Sequence, residues 1–251
     1  MNAGPGALLR VATYNVHGWK SLGGRRDIGR FVETIRELAA DVVALQEVVM
    51  PPLIEEECLE RAVAGPLGMH AVSGPTLTRL GTEYGNALLT RFPVEQSRGH
   101  DLSVRGCEPR GAVEVVLAVP GGRLRVIATH LGLRARERRI QTEALLALVR
   151  ERQDVPTVLL GDFNEWMPAN RTVRAVSREL GATPAPATFP SCFPVLSLDR
   201  IWTSPGLALT SLRRHRPAYA TCSDHLPLVA ELRHPGNGID KNNGETRKNE
   251  L

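Results

Sequence analysis

Two passages of the chain have the order strand, helix, strand, and this order constrains the fold more than any other feature. Each passage joins short apolar runs through a segment whose apolar residues recur at helix spacing. The passages comprise residues 8–15, 28–38 and 41–46, and residues 124–129, 134–150 and 157–160. The third run of each passage is almost continuously apolar, as in strands covered on both faces. We therefore predict an α/β fold with two packed sheets and the helices outside.

Finer predictions concern single elements. Further strands are predicted around residue 71, at 86–90 and 112–119, and near 198–203 and 226–232. In the second of these helices, Ile140, Ala144 and Leu148 recur at helix spacing and mark one apolar face. Residues 52–63 are predicted to be helical, and residues 121–122, both glycines, are predicted to form the turn of a hairpin.

Composition limits the class of protein. The 251 residues are 42% hydrophobic and 23% charged, which excludes a disordered or membrane-embedded chain. No run approaches the roughly 18 apolar residues of a membrane span, and we read no signal peptide. We expect a monomeric, cytoplasmic protein with one domain at 1–233 and a disordered tail at 234–251. The net charge of +4 permits an anionic partner, although a nucleic-acid coating protein usually carries a larger excess.

Polar residues stand at the ends of the apolar runs, where ligands of sheet proteins commonly bind. They are Asn15, Glu47, His130, Asp162, Asn164, Asp199, Asp224 and His225. Each alone is explained as a turn or capping residue, but their recurrence at strand ends is not. An oxygen-rich set suits a hard cation such as Mg²⁺, and neighbouring imidazoles can contact phosphate or move protons. The pattern predicts a metal-assisted hydrolase site.

Eight motifs carry a resemblance to a known family. They read TYNVHGW, LQEV, GNALLTRFP, PRGAV, ATHLGL, GDFNEW, LDRIW and SDHLPLVAEL. From residue 8 to residue 232 the chain resembles the endonuclease/exonuclease/phosphatase (deoxyribonuclease I-like) superfamily, in a cytosolic bacterial branch. The resemblance implies a four-layered α/β/β/α sandwich with two central mixed sheets and the site at one end. It also implies a Mg²⁺-dependent phosphodiesterase, with Mn²⁺ as an alternative metal.

The resemblance assigns the metal and the attacking water to five of these residues. Glu47 matches the main metal ligand of the family, assisted by Asn15. Asp224 matches an acid near the metal or the nucleophile. Asp162 and Asn164 match the pair that positions the attacking water and the scissile phosphate.

The histidines and their neighbours also receive roles from the resemblance. His225 matches the histidine that contacts the phosphate, and Asp199 the carboxylate that orients it and favours its charged form. His130 matches a second histidine, an acid for the leaving oxygen, and Glu83 is its expected supporting partner. Asn86 matches a polar residue that lines the phosphate pocket.

Further residues bear on the substrate. Arg110 matches an arginine of this branch and is predicted to bind phosphate, with a structural ion pair as the alternative. Trp166 is predicted to stack on a base or sugar, with packing as the alternative. Basic runs at 134–139 and 213–216 flank the site and fit a polyanion or a phosphorylated headgroup, with a solvated face as the alternative for the run at 134–139. His17 stands where abasic-site endonucleases have an acidic or amide side chain, so this strand is assigned no second metal ligand.

The predicted function is therefore that of a nuclease-like phosphodiesterase acting on a phosphate ester. The substrate is nucleic acid, or else a phosphorylated small molecule or lipid headgroup, as in a sphingomyelinase-like or inositol phosphatase-like enzyme. No apolar loop is evident in the sequence, and no stable membrane insertion is expected. A non-catalytic binding module of the same fold is disfavoured, because such a module is expected to lose the polar strand-end residues that this chain keeps.

Overall fold

The computed structural model describes residues 6–50, 59–79, 81–167, 170–219 and 222–236. Its strands are β1 (Leu8–Asn15), β2 (Val42–Met50), β3 (His70–Arg79), β4 (Thr82–Thr90), β5 (Val94–Asp101), β6 (Gly111–Val119), β7 (Gly122–His130), β8 (Thr157–Asp162), β9 (Asp199–Thr203), β10 (Ala208–Arg214) and β11 (Leu228–Arg233). Its α-helices are α1 (Ile28–Glu37), α2 (Ala135–Glu151) and α3 (Arg171–Leu180). None of the helices in the described ranges has the length and apolar character that crossing a membrane requires.

The strands form two mixed sheets. One has the order β10-β11-β1-β2-β4-β3 and the other the order β5-β6-β7-β8-β9. Each sheet has a parallel pair joined through a helix: α1 connects β1 to β2, and α2 connects β7 to β8. The other neighbouring strands are antiparallel. Both predicted strand–helix–strand passages are therefore confirmed.

Burial on both faces explains why the central strands are almost continuously apolar. Along β1, Leu9 and Val11 pack in the core between the two sheets, whereas Ala12 and Tyr14 pack in the core on the α1 side. Helices α2 and α3 cover the outer face of the second sheet in a third core. The four layers are helix, sheet, sheet and helix, which confirms the predicted sandwich.

The buried face of α2 differs from the prediction. Ile140 is 40% exposed, and Ala144 also faces solvent. The helix instead buries Glu137, Arg138, Gln141, Thr142, Leu145, Leu146 and Val149. Its first two turns bury polar side chains because they have partners: Arg138 Nε lies 3.0 Å from Glu165 Oε2, for example. Periodicity of apolar residues does not detect a face of this kind.

Two strands, β5 and β10, do not appear in the sequence prediction. Both are edge strands, and most of their side chains are exposed or only partly buried. Their main-chain hydrogen bonds to β6 and β11 hold them in place, so neither needs the apolar alternation that identifies a half-buried strand. The hairpin between β6 and β7 is confirmed, but its turn is one residue earlier than predicted: Val119 pairs with Gly122, so Pro120 and Gly121 form the turn.

Two predicted segments lie partly outside the described residues. In the predicted helix at 52–63, residues 52–58 lie outside them, and Glu60–Ala64 forms a short helical turn. In the predicted tail, residues 237–251 lie outside them. His234, the first residue of that segment, is buried, and its Nε2 lies 2.9 Å from the carbonyl oxygen of Arg123.

Candidate active site

The site lies where parallel strands of both sheets end. Asn15 is the last residue of β1, and His130 and Asp162 are the last residues of β7 and β8. Asp162 is also paired in register with Asp199, the first residue of β9. The topology therefore brings together side chains that lie far apart in the sequence.

A bulge in β2 positions Glu47. Leu45 is paired with Ala87 and Val48 with Gly85, so that Gln46 and Glu47 both stand opposite Asn86. Glu47 has a φ of 57°, in the left-handed region that non-glycine residues rarely adopt. Bulges commonly redirect a side chain beside an active site, and here the carboxylate reaches the end of β1.

Strained backbone recurs in this part of the molecule. Asn164 has a φ of 49° and His17 a φ of 45°. Together with Glu47, they account for three of the five non-glycine residues with positive φ in the described ranges. Such conformations persist only where surrounding contacts impose them, and they concentrate at functional sites.

Asn15 joins the two sheets at the site. Its Nδ2 lies 2.9 Å from Glu47 Oε1 and 3.0 Å from Asp162 Oδ2. The amide therefore donates to one carboxylate in each sheet. The other oxygen of Asp162, Oδ1, accepts a hydrogen bond from the backbone N–H of Asn164 at 2.9 Å. Asp162 is consequently held through both carboxylate oxygens.

His17 is a site residue to which the sequence assigned no role. Its Nδ1 lies 3.7 Å from Glu47 Oε2 and 3.7 Å from Asp224 Oδ1. The backbone N–H of His17 donates to the side-chain oxygen of Asn15 at 3.0 Å. The available signal was its position two residues after Asn15, within the TYNVHGW motif.

Asp224 and His225 are placed by Ser223, which is buried. The Ser223 hydroxyl donates to the carbonyl oxygen of Asn15 at 2.7 Å and accepts from the backbone N–H of His225 at 3.1 Å. This hydroxyl ties the loop before β11 to the end of β1. Ser223 lies inside the SDHLPL motif. From the sequence alone a serine at this position is explained as a capping residue, so its role in placing Asp224 and His225 was not predicted.

His225 forms a buried ion pair. Its Nδ1 lies 2.8 Å from Asp199 Oδ2, which also accepts a 2.6 Å hydrogen bond from the Thr188 hydroxyl. Burial alone lowers the pKa of a histidine, but the charges of Asp199 and Asp162 outweigh it and raise the pKa of His225 to about 10. The ring is therefore an imidazolium at neutral pH. Its Nε2 lies 3.7 Å from Asp162 Oδ2.

His130 differs from His225 in charge. Burial lowers its pKa to about 3, and the charges of Arg110 and His225 act in the same direction against the attraction of Asp162. Its Nε2 lies 3.0 Å from Asn164 Nδ2, which also donates to the carbonyl oxygen of Leu131 at 2.9 Å. A neutral ring that accepts from Asn164 is suited to orienting that amide. The role of an acid for the leaving oxygen stays a prediction.

Four predicted residues remain: Asn86, Arg110, Trp166 and Glu83. Asn86 is buried and donates to the carbonyl oxygen of Gly111 at 2.9 Å. Arg110 is also buried and pairs with Glu108 at 2.8 Å. Trp166, two residues after Asn164, is 56% exposed. Among the described residues, no hydrogen bond or ion pair joins Glu83 to His130.

Tyr84 is a neighbour of Arg110 to which the sequence assigned no specific role. Burial raises the pKa of its hydroxyl above the ordinary range, and the negative charge of Glu47 adds to this effect. Arg110 acts in the opposite direction, through its charge and a hydrogen bond. The side chains of Arg110 and Tyr84 therefore lie together on the Glu47 side of the site. The Nε of Arg110 is buried without a partner in the described structure.

Two sets of side chains compete as the place for a cation. Asp162, Asp199 and His225 are buried, with ligand atoms within 4.8 Å of one another. In that set, however, His225 is an imidazolium already bonded to Asp199, and a protonated nitrogen cannot coordinate a metal. Glu47 Oε2 and Asp224 Oδ1 form the second set: both lie 3.7 Å from His17 Nδ1, and both side chains are partly exposed. Oxygen donors of this kind fit a hard divalent cation.

Comparisons with known proteins agree with the family resemblance and with the fold. The sequence model of the Endonuclease/Exonuclease/phosphatase family matches residues 12–225. An uncharacterized Escherichia coli protein, YbhP, is 31% identical over 243 residues, covering 89% of this chain and 96% of YbhP. A Beutenbergia cavernae endonuclease/exonuclease/phosphatase structure superposes with a TM-score of 0.74 at 24% identity, over 91% of this chain and 72% of that one. The human Nocturnin catalytic domain superposes with a TM-score of 0.70 at 22% identity, over 91% of this chain and 93% of that domain.

Proposed function

The chain belongs to the endonuclease/exonuclease/phosphatase family of phosphoester-cleaving hydrolases, and from this premise we propose that it is a phosphodiesterase that depends on Mg²⁺. Mn²⁺ is the alternative metal, because both ions take oxygen ligands. In this proposal water attacks the phosphorus of an anionic diester.

The observation that carries the proposal is the pair of hydrogen bonds made by Asn15. They bring Glu47 and Asp162 to one amide nitrogen, at 2.9 Å and 3.0 Å. Two carboxylates so close together repel each other, and a divalent cation relieves that repulsion. Glu47, Asp224 and the side-chain oxygen of Asn15 would hold the ion. A bound Mg²⁺ supplies positive charge beside the phosphate and favours ionisation of water.

The other residues act on the water and the phosphate. Asp162 is fixed through both oxygens and lies 3.7 Å from His225 Nε2, which suits a carboxylate that orients water and accepts its proton. The His225 imidazolium offers Nε2 to a phosphate oxygen, because Asp199 already accepts from Nδ1. Negative charge develops on the phosphoryl oxygens during attack, so a fixed cation there stabilises the transition state.

Hydrolysis of bis-p-nitrophenyl phosphate tests this proposal. We expect turnover with Mg²⁺ or Mn²⁺, none with EDTA, and a loss of about 10²-fold or more in kcat for Glu47→Gln and for His225→Gln. Glu179→Gln is the matched control, because Glu179 pairs with Arg150 on the outer helices. Wild-type activity in both site variants, or absence of turnover with every divalent metal, contradicts the proposal.

A further inference from the structure

Five large apolar side chains are exposed around the site. Ten large hydrophobic residues are exposed in the described ranges. The five around the site, which we call the apolar rim, are Leu133 (68% exposed), Trp166 (56%), Met167 (67%), Phe193 (75%) and Val195 (59%). Scattered single apolar side chains are normal on protein surfaces, but a group at one site marks an interaction surface.

The five side chains of the apolar rim lie on three loops, which we call the rim loops. Each rim loop is connected to a residue of the site. Leu133 follows His130 by three residues, and Trp166 follows Asn164 by two. The loop with Phe193 and Val195 reaches the site through two other residues. The Phe189 ring lies 5.0 Å from the His225 ring, and the Ser191 N–H donates to the carbonyl oxygen of Asp224 at 2.7 Å.

A buried ion pair braces two of the three rim loops. Arg138 bonds Glu165 at 3.0 Å and 3.4 Å and donates to the carbonyl oxygens of Gly132 and Leu133. Glu165 in turn accepts from the backbone N–H of Met167 at 3.2 Å. The loops are thus fixed with their apolar side chains outward, although collapse onto the surface would remove apolar area from water.

The third rim loop is fixed by its own main chain. The N–H groups of Val195 and Leu196 both donate to the carbonyl oxygen of Phe189, at 2.9 Å each. The N–H of Phe193 donates to the carbonyl oxygen of Pro190 at 3.1 Å. Phe193 and Val195 are therefore held at the tip of a closed loop, exposed to solvent.

Arginines without partners adjoin the rim. Arg134 and Arg136 follow Leu133, and Arg171 and Arg174 open α3 shortly after Met167. In the described structure none of these four side chains forms an ion pair. Arg171 at the start of α3 opposes the helix dipole, and two like charges three residues apart repel. Because these electrostatic interactions are unfavourable in the free protein, they indicate that the arginines bind an anionic partner.

A groove between α2 and α3 continues the same charge. It has a volume of about 580 Å³ and is lined by Arg139, Arg171, Arg174 and Arg178, with Glu143 as its acid. The groove therefore carries a net positive charge, and it shares Arg171 and Arg174 with the arginines that follow the apolar rim in the sequence. Apolar side chains flanked by arginines are the composition of a surface that docks on anionic lipid.

We propose that the apolar rim and these arginines dock the protein on an anionic lipid surface, so that the site receives the phosphodiester of a membrane phospholipid. This inference rests on the proposed phosphodiesterase function. Leu133, Met167 and Val195 offer no ring to stack on a base, which favours lipid over nucleic acid. The rim enters the headgroup boundary, and the arginines contact phosphate groups. Docking of this kind is peripheral and reversible.

Trp166 is a built-in reporter for the test, since Trp19 and Trp202 are each 1% exposed. The metal-free protein is mixed with vesicles of phosphatidylcholine alone, or with roughly one third phosphatidylglycerol. We expect sedimentation with the anionic vesicles, a blue shift of the tryptophan emission and protection from acrylamide. We expect the loss of one arginine charge, in Arg171→Gln or in Arg174→Gln, to weaken vesicle binding about fivefold.

Variants of the rim decide the inference. Leu133→Ser with Met167→Ser and Phe193→Ser should weaken vesicle binding about tenfold or more. Leu8→Ser with Val94→Ser is the matched control, because both residues are exposed but stand at the opposite ends of their strands from the site. Circular dichroism and thermal melting report folding of each variant. Equal binding by the rim and control variants overturns the inference.

Two further outcomes separate this inference from the proposed function. Turnover of bis-p-nitrophenyl phosphate without any vesicle binding overturns the docking surface and leaves the phosphodiesterase proposal in place. Vesicle binding without turnover overturns the phosphodiesterase proposal and leaves the docking surface in place. If a labelled single-stranded DNA binds more tightly than anionic vesicles and the rim variant weakens that binding, the surface is a nucleic-acid interface and the lipid inference is wrong.

Discussion

Asn15 Nδ2 lies 3.0 Å from Asp162 Oδ2, and this hydrogen bond joins the two sheets at the site. The same nitrogen lies 2.9 Å from Glu47 Oε1. One neutral amide therefore holds two carboxylates that repel each other, with one N–H directed to each. An added negative charge at Asn15 should therefore destabilise the metal-free protein.

Asn15→Asp removes both donors and places a third carboxylate between the other two. In EDTA we expect the free energy of unfolding to fall by about 2 kcal/mol, which lowers Tm by roughly 4–8 °C. Mg²⁺ should raise the Tm of this variant more than that of the wild type, because the cation offsets the added repulsion. Differential scanning fluorimetry with and without Mg²⁺ measures both effects.

The control for this variant is Asn170→Asp, which adds the same charge elsewhere. Asn170 caps α3, where its side chain accepts from the N–H of Val173 at 3.0 Å. Aspartate caps a helix as well as asparagine does, so this Tm should hardly change. An unchanged Tm for Asn15→Asp in EDTA contradicts the interpretation of Asn15 as a separator of two acids.

Asp199→Asn tests the buried pair with His225. Asp199 is a main cause of the raised pKa of His225, so its loss lets burial favour the neutral ring. We expect kcat for bis-p-nitrophenyl phosphate to fall by about 10²–10³-fold, because a neutral ring stabilises phosphate charge poorly. Thr188→Val, which removes only the hydroxyl that bonds Asp199, should cost about tenfold or less. Equal losses in the two variants contradict the charge argument.

The site was more predictable from sequence than its surroundings. Asn15, Asp162 and His225 stand at strand ends beside apolar runs, so local pattern and strand order suffice to bring them together. Thr188 and Ser223 were missed because a hydroxyl in a loop has no periodicity, and its role depends on a partner distant in the chain.

The apolar rim shows a different limit. Leu133 and Phe193 stand in segments without apolar alternation, and a single apolar residue is equally consistent with burial or exposure. Their exposure depends on whether another element covers them. The same limit explains why the buried Arg138 appeared in sequence as part of a solvated basic run. Long-range pairing decides burial at such positions.

Glu114→Gln addresses stability away from the site. Glu114 Oε1 lies 2.6 Å from Nε of the fully buried Arg125, and Oε2 lies 2.7 Å from His100 Nε2. Burial would raise the pKa of Glu114, but Arg125 and His100 outweigh it and lower the pKa below its ordinary value. At neutral pH the substitution leaves the Arg125 charge uncompensated and should cost about 3 kcal/mol.

The pH dependence of that loss follows from the lowered pKa of Glu114. A lowered carboxyl pKa adds stability above the unfolded-state value of about 4.3. This contribution is lost as the pH falls through the folded-state pKa. The gap in unfolding free energy between wild type and Glu114→Gln, measured with urea, should therefore narrow below about pH 4. Glu95→Gln, in an exposed pair with Arg123, should cost less than about 1 kcal/mol. A gap that widens in acid contradicts this assignment.

Glu165→Gln tests the brace beneath the apolar rim. Arg138 loses its carboxylate partner while remaining buried, so we expect a cost of about 3 kcal/mol and faster amide hydrogen exchange at residues 131–133 and 165–167. Glu179→Gln is the comparison, since Glu179 on α3 forms a more exposed pair with Arg150 on α2, which should contribute under about 1 kcal/mol. Mass spectrometry resolves exchange by segment. Unchanged exchange in both loops, despite a lower Tm, means that Arg138 supports the fold without fixing the rim.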